Sequence, residues 1–161
     1  MNISYLLLGG NLGDSLKVFR ECEKKINHNI GDIVIKSSCY ESEPWGFSHQ
    51  SNFVNQVLKI STKLDHFQLL SQCQLIENHF GRKRNSENGY QSRIIDVDIL
   101  FFNDLVLDSD DLKIPHPRLH LRRFTLLPFS EIDLNFIHPK LNQSIRRLLS
   151  DCPDKSEVIK I

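Results

Sequence analysis

The run Arg93-Ile94-Ile95-Asp96-Val97-Asp98-Ile99-Leu100-Phe101-Phe102 sets two carboxylates among β-branched and aromatic residues. Such a run favours a strand, whose side chains alternate between faces. Ile95, Val97, Ile99 and Phe101 then form one apolar face, which reads as core. Asp96 and Asp98 stand side by side on the other, between Ile94 and Leu100. Adjacent carboxylates repel, and partly buried ones need a partner, a proton or a metal ion. Mg²⁺ answers that need, because it takes oxygen ligands and commonly combines one or two carboxylates with substrate phosphates. A solvated strand face with two surface aspartates explains the same residues, and the strand alone leaves both readings open.

Positive charge gathers in two other places. Arg82, Lys83, Arg84 and Arg93 share a loop with Glu87, and His116, Arg118, His120, Arg122 and Arg123 crowd a second segment. Guanidinium forks suit phosphate oxygens. The whole chain carries 20 basic and 20 acidic residues. No global field therefore argues for nucleic acid or an anionic membrane, and local clusters suit a small polyanion. Phe53 and Asn55 share one face of a predicted strand, where an aromatic can stack on a flat heterocycle while an amide bonds its edge. Phe124 offers the same surface after Arg122-Arg123; packing beneath a loop is the plainer account of either ring. Gln74 and Glu77 share a helix face that leads into the first basic loop. His116 stands between Pro115 and Pro117, beside the arginines.

The elements that must position these groups follow from periodicity. Ile3 to Leu8 reads as a buried strand ending in Gly9-Gly10-Asn11-Leu12-Gly13. That turn lacks the GxxxxGK[ST] lysine and the GxGxxG spacing, so neither phosphate motif applies. Its glycines serve either an unusual backbone turn or the wall of a site. Asp14 is placed to cap a helix whose face is Leu16, Phe19, Cys22, Glu23 and Ile26. Ile33 to Glu41 alternates as a second strand, Ser42 to Ser51 is a loop, and Phe53 to Ile60 is a third strand. Asp65 caps a second helix with the stripe Phe67, Leu70, Cys73 or Gln74, and Phe80, stopped by Gly81. The aspartate strand follows the loop Arg82 to Arg93. Asn103-Asp104 then turns into Leu105 to Leu107 as a hairpin, and Ile145 to Leu149 is a last amphipathic segment. The order β-α-β-β-α-β predicts an α+β, ferredoxin-like sandwich with an added β-hairpin. Helices should cover one face of a mainly antiparallel sheet and leave the other for a ligand.

At 161 residues the chain is expected to form a single catalytic domain, 1–161. Cys22, Cys39, Cys73 and Cys152 lack metal-ligand spacing and read as reduced thiols, three of them core filler. Met1 to Leu8 is apolar only briefly and has no charged n-region, so it reads as neither signal peptide nor transmembrane helix, and the cytoplasm is the expected compartment.

Several segments together resemble one family. They are Gly9-Gly10-Asn11-Leu12-Gly13-Asp14, Ser42-Glu43-Pro44-Trp45-Gly46, Phe53-Val54-Asn55, Glu77 through Gly81-Arg82-Lys83-Arg84, Arg93 through Leu100, and Pro115-His116-Pro117-Arg118. The collinear set resembles the 6-hydroxymethyl-7,8-dihydropterin pyrophosphokinases of folate biosynthesis. That resemblance implies transfer of pyrophosphate from MgATP to the pterin hydroxymethyl oxygen, releasing AMP. It implies two Mg²⁺ ions held by Asp96 and Asp98. Ser42, Pro44, Trp45 and Asn55 would hydrogen-bond the pterin edge, and Phe53 and Phe124 would sandwich its ring. Gln74, Glu77, Arg84, Ile99, His116 and Arg122 would contact ATP, while Arg82 and Arg93 would meet the migrating phosphates. The implied partners are these two small molecules, with no nucleic acid, no membrane and a monomeric chain.

The sequence departs from the family pattern at Gly10, where serine is common, and at Lys113, where a threonine often meets adenine. It also reads Asn88-Gly89-Tyr90-Gln91-Ser92-Arg93 where many members have Arg-Trp-Gly-Pro-Arg. Two other classes meet obstacles. A nuclease using the same aspartates needs a broad basic groove, which the neutral composition does not supply. An RNA-binding module needs an RNP-type aromatic strand, which is absent.

Overall fold

The computed structural model describes residues 1–43, 52–81 and 94–161. Four strands follow the expected order. They are β1 (Asn2–Gly10), β2 (Gly31–Lys36), β4 (Phe53–Thr62) and β5 (Asp96–Phe102), with a short β3 (Tyr40–Ser42) before β4. Helix α1 (Ser15–Asn29) joins β1 to β2, and α2 (His66–His79) joins β4 to β5. Downstream lie β6 (Leu107–Asp108), β7 (Lys113–Ile114), α3 (Arg123–Asp133), α4 (Ile145–Ser150) and β8 (Val158–Lys160). In the sheet the order is β5-β1-β4-β3-β8, with β2 also on β4, and each pairing is antiparallel. Taking β5, β1, β4 and β2 in turn reproduces the ferredoxin-like arrangement.

Local chemistry sets the helix starts. Asp14 accepts the N–H of Lys17 at 3.2 Å. Asp65 forms a reciprocal capping box with Gln68. The stripe of α2 is turned from the expected one: Leu69, Cys73, Ile76 and Glu77 are buried, whereas Phe67 is exposed. On α1, Phe19, Cys22 and Ile26 face inward as expected, but Leu16 is exposed.

The expected strand Ile33 to Glu41 is two strands. Between them Ser37 takes over the pairing, with its Oγ accepting the Val57 N–H at 2.9 Å and its N–H donating to the Val57 carbonyl at 2.9 Å. The expected hairpin also moves. Leu107 pairs with Ile114 and Asp108 with Lys113, so the small ribbon returns on itself.

Helices cover both faces of the sheet, not one. α1 and α2 pack Phe19, Cys22, Ile26, Leu69, Cys73 and Ile76 on Leu6, Leu8, Leu58 and Ile60. The opposite face presents Tyr5, Leu7, Val57 and Phe101, which would leave a large apolar surface in water. α3 and α4 cover it with Leu126, Phe129, Ile145 and Leu148. Each such side chain contributes roughly 1.5–3 kcal/mol when fully buried. Tyr5 and Phe129 stack with ring centroids 4.6 Å apart, and the Tyr5 hydroxyl donates to Asp133 at 2.8 Å. This cover stops where the same face turns polar, and that end stays open.

Phe101 belongs to this second face. The β1–β5 register shifts between Tyr5 and Leu6, so Tyr5 faces Phe101 while Leu6 faces Ile99. One extra residue in β5 brings both Leu100 and Phe101 to the α3 side. Ile95, Val97 and Ile99 keep the expected side. Among the described residues no helix is long and apolar enough to cross a membrane.

Candidate active site

The open end of the second face forms a cavity of about 440 Å³. Asp96 and Asp98 enter it from β5, Gly9 from β1, and Phe53 and Asn55 from β4. Phe124 and Arg122 enter from the start of α3, Ser42 and Glu43 from the end of β3, and His116, Pro117 and Arg118 from the connection after β7. Strand alternation explains the sheet's share, because Gly9 lies opposite both Asn55 and Asp96 in the register. A Cβ on Gly9 would stand 2.8 Å from Asn55 Oδ1. The missing side chain is thus what lets Asn55, only 4% exposed, lie against β1. Gly13 has φ +68 and serves the turn. The two glycine readings divide between the two residues.

A second cavity of about 250 Å³ adjoins the first along β5. Glu77 and Leu70 of α2 line it with Val97, Ile99 and the ribbon residues Asp110, Asp111, Leu112 and Lys113. Asp98 and His116 line both cavities. Glu77, 3% exposed, accepts the N–H of Val97 at 3.2 Å. β5 is the edge of its sheet, so this N–H points away from β1 and the carboxylate closes the edge between the two aspartates. Three residues further along the same strand, the His116 N–H donates to the Leu100 carbonyl at 2.9 Å.

Charge in the site is unevenly distributed. Burial, reinforced by the positive charges of Arg122 and Arg118, pulls His116 down to about 4. At neutral pH its imidazole is therefore uncharged. Its Nδ1 accepts the Arg118 N–H at 3.1 Å, which leaves Nε2 to carry the proton. Arg122, 7% exposed, holds its guanidinium carbon 5.6 Å from the Phe124 ring centroid. Such a cation–π contact orders both side chains. Ser42 Oγ is buried with no hydrogen-bond partner among the described residues.

Among the described residues no group of three or more His, Cys, Asp or Glu is arranged to hold a metal ion. The carboxylates of Asp96 and Asp98 suit a hard cation that completes its shell from substrate oxygens, and they do not suit a closed protein cage. The donor set therefore fits Mg²⁺ carried with a polyphosphate.

The geometry gathers Ser42, Phe53, Asn55, Phe124, Arg122, Asp96, Asp98 and His116 in the larger cavity, and Glu77, Ile99, Asp98 and His116 in the smaller. Gln74 is half-buried one turn before Glu77 and lines neither. Arg122, expected at the nucleotide, stands among the aromatic walls. Pro44, Trp45, Arg82, Arg84 and Arg93 lie outside the described residues. Sequence reading missed Glu43, Asp110 and Asp111 as lining residues. Arg118, placed by the sequence in the second basic cluster without a role of its own, lines the larger cavity. The acidic pair lies in a ribbon whose pairing only the fold decides.

The family model for 7,8-dihydro-6-hydroxymethylpterin-pyrophosphokinase (HPPK) matches residues 5–134. The chain belongs to that family. It is a pyrophosphokinase of folate synthesis, transferring pyrophosphate to hydroxymethyldihydropterin. The family uses ATP and is generally Mg²⁺-dependent.

Among relatives, the 2-amino-4-hydroxy-6-hydroxymethyldihydropteridine pyrophosphokinase of Bacillus subtilis is 39% identical over 132 residues, 81% of this chain and 78% of that protein. The Aquifex aeolicus protein of the same name is 41% identical over 135 residues, covering 84% and 82%. Folic acid synthesis protein FOL1 of Dictyostelium discoideum is 40% identical over 160 residues. That match takes 99% of this chain but 24% of the longer protein. A solved Plasmodium falciparum HPPK-DHPS with pteroate superposes with a TM-score of 0.74 at 17% identity. It covers 92% of this chain and 44% of that one, and at such identity it speaks for the fold alone.

Proposed function

We propose that the two adjoining cavities take the two substrates of this transfer, the reduced pterin in the larger and MgATP in the smaller, within a single catalytic domain. The observation that carries this reading is the sharing of Asp98 and His116 by both cavities. Groups common to two pockets stand where two ligands meet, and a pyrophosphoryl group must pass between them.

In the larger cavity Phe53 and Phe124 stack on the pterin ring, while Asn55 and Ser42 bond its edge, with Pro44 and Trp45 beside them. Gln74, Glu77, Ile99, His116 and Arg84 receive the nucleotide. Arg122 stabilises charge at the boundary. Asp96 and Asp98 would hold two Mg²⁺ ions, which would supply charge neutralisation for the triphosphate and acidify the attacking hydroxyl. The aligned reactants do the rest. The pterin hydroxymethyl oxygen forms a bond to the β-phosphorus, the bond from that phosphorus to the oxygen bridging it to the α-phosphorus breaks, and AMP leaves with that oxygen. The hydroxyl proton passes to solvent. Neutral His116 offers its Nε2–H to phosphate oxygen without adding a charge, and Arg82 and Arg93 meet the transferring oxygens.

Incubation with MgATP and 6-hydroxymethyl-7,8-dihydropterin should yield AMP and the pterin diphosphate in equal amounts. ADP as product, or nucleotide turnover independent of the pterin, would reject the reading.

A further inference from the structure

We propose that the segment Asp151–Ile161 is a strap that sets the spacing of two pterin-binding walls of the larger cavity, the start of α3 and the end of β3, acting on substrate only through them. None of its residues lines the cavity, yet it grips both sides. On one side, α3 begins at Arg123 with no capping side chain from its own N-cap residue, Arg122. Asp154, from the strap, accepts the Arg123 N–H at 3.0 Å. A carboxylate there satisfies an orphan donor of the first turn and complements the helix dipole. The residues flanking Arg123 are Arg122 and Phe124, both of the cavity wall.

Asp154 is itself held in place. Ser156 donates its N–H at 3.0 Å and its hydroxyl at 2.5 Å to Asp154 Oδ1. Burial would push this carboxyl upward, but the Ser156 and Arg123 hydrogen bonds and the Arg123 charge outweigh it, so it stays below its ordinary value. Cys152, two residues earlier, is buried in the apolar layer beneath α3 and α4.

On the other side β8 zips onto β3, pairing Val158 with Ser42, Ile159 with Glu41 and Lys160 with Tyr40. The ladder continues where the Ile161 N–H donates to the Cys39 carbonyl at 3.0 Å. Beyond this pairing, Glu131 of α3 accepts the Tyr40 hydroxyl and stands 3.8 Å from Lys160 Nζ. Strap, β3 and α3 thus close a ring around the mouth where Ser42, Glu43 and Phe124 stand. The matched family region ends at residue 134, so the strap segment lies outside it while its partners on β3 and α3 lie within it.

The proposal rests on the assignment of the larger cavity to the pterin, and its test separates the two. In the full chain, Asp154→Ala should raise the pterin KM about fivefold, the scale of a lost helix cap. The MgATP KM and kcat should not move. Asp154→Asn, which keeps an acceptor, should restore the pterin KM. Ile159 lies two residues from the bonded pair Ile161 and Cys39, so by antiparallel alternation its N–H is also in the ladder. Ile159→Pro removes that donor at an exposed position and should raise the pterin KM likewise; it also decides the matter if Asp154→Ala does not fold.

Unchanged pterin KM in both strap variants, or a parallel rise in the MgATP KM, would overturn the strap. Phe124→Ala serves as the control. If it raises the pterin KM while the strap variants do not, the strap alone fails. If it leaves the pterin KM unchanged, the ring-binding assignment fails and takes the strap with it.

Discussion

Glu77 closes the open edge of β5 by accepting the N–H of Val97, the residue between Asp96 and Asp98, at 3.2 Å. An edge strand ordinarily presents such groups to water, but this one is buried and needs a partner. The carboxylate of α2 supplies it and fixes the strand at its two aspartates. Glu77→Leu would leave the N–H unpaired and should cost about 1–3 kcal/mol in chemical denaturation. Glu77→Gln, which keeps an acceptor, should cost much less. Equal losses in the two variants would show that the hydrogen bond is not what Glu77 contributes.

Gly9 and Asn55 form the second close relationship. With a Cβ at residue 9 only 2.8 Å from Asn55 Oδ1, Gly9→Ala must displace the amide from its place in the cavity. Pterin affinity should fall about tenfold, the value of a lost edge hydrogen bond, with ATP affinity intact. Calorimetric titration of each ligand measures both. An unchanged pterin affinity would remove Asn55 from the binding site.

Asp96 and Asp98 carry adjacent negative charge on one strand face, a cost to the fold that a bound cation offsets. Asp96→Asn and Asp98→Asn should each abolish AMP formation, and neither should lower stability in metal-free buffer. Near-normal turnover by either variant at saturating Mg²⁺ would take that residue out of the metal site.

His138 gives the fold an acid limit. It is 3% exposed, and its Nδ1 accepts the Lys140 N–H at 3.2 Å and the Leu141 N–H at 3.0 Å. Burial first, then the neighbouring charges of His120 and Lys140, pulls it down to about 4 from the ordinary histidine value of about 6.5. The unfolded chain then binds the extra proton between those values. Stability is full above pH 6.5 and is lost as pH falls toward 4, by about 2–3 kcal/mol from this residue. Denaturation midpoints of wild type and His138→Asn should converge across that window. Parallel curves would mean the histidine does not titrate on unfolding.

Nearest-neighbour chemistry decided much of this protein in its sequence. Asp14 and Asp65 act on N–H groups three residues away, so their caps are legible without the fold. Asp96 and Asp98 share a face because strand alternation is local. Three of the four cysteines are buried as expected, and the fold decides that they are Cys22, Cys73 and Cys152.

Tertiary contacts decided the rest. Phe67 and Leu69 fit a helical stripe equally well by spacing, and only the packing of α2 on β1 and β4 buries Leu69. Phe101 changes face because β5 takes an extra residue against β1, which no local pattern in an all-apolar run reveals. Pro128 disguises α3, and the helix persists because Leu126 and Phe129 fill the second face of the sheet. β8 exists only as a partner for β3, more than a hundred residues upstream. The site follows the same division. Its carboxylates are written along one strand, whereas the shared wall at Asp98 and His116 needs β5 and the segment after β7 brought together in space. Short-range hydrogen bonds and alternation can be read from spacing; burial depends on which distant surface arrives to exclude water.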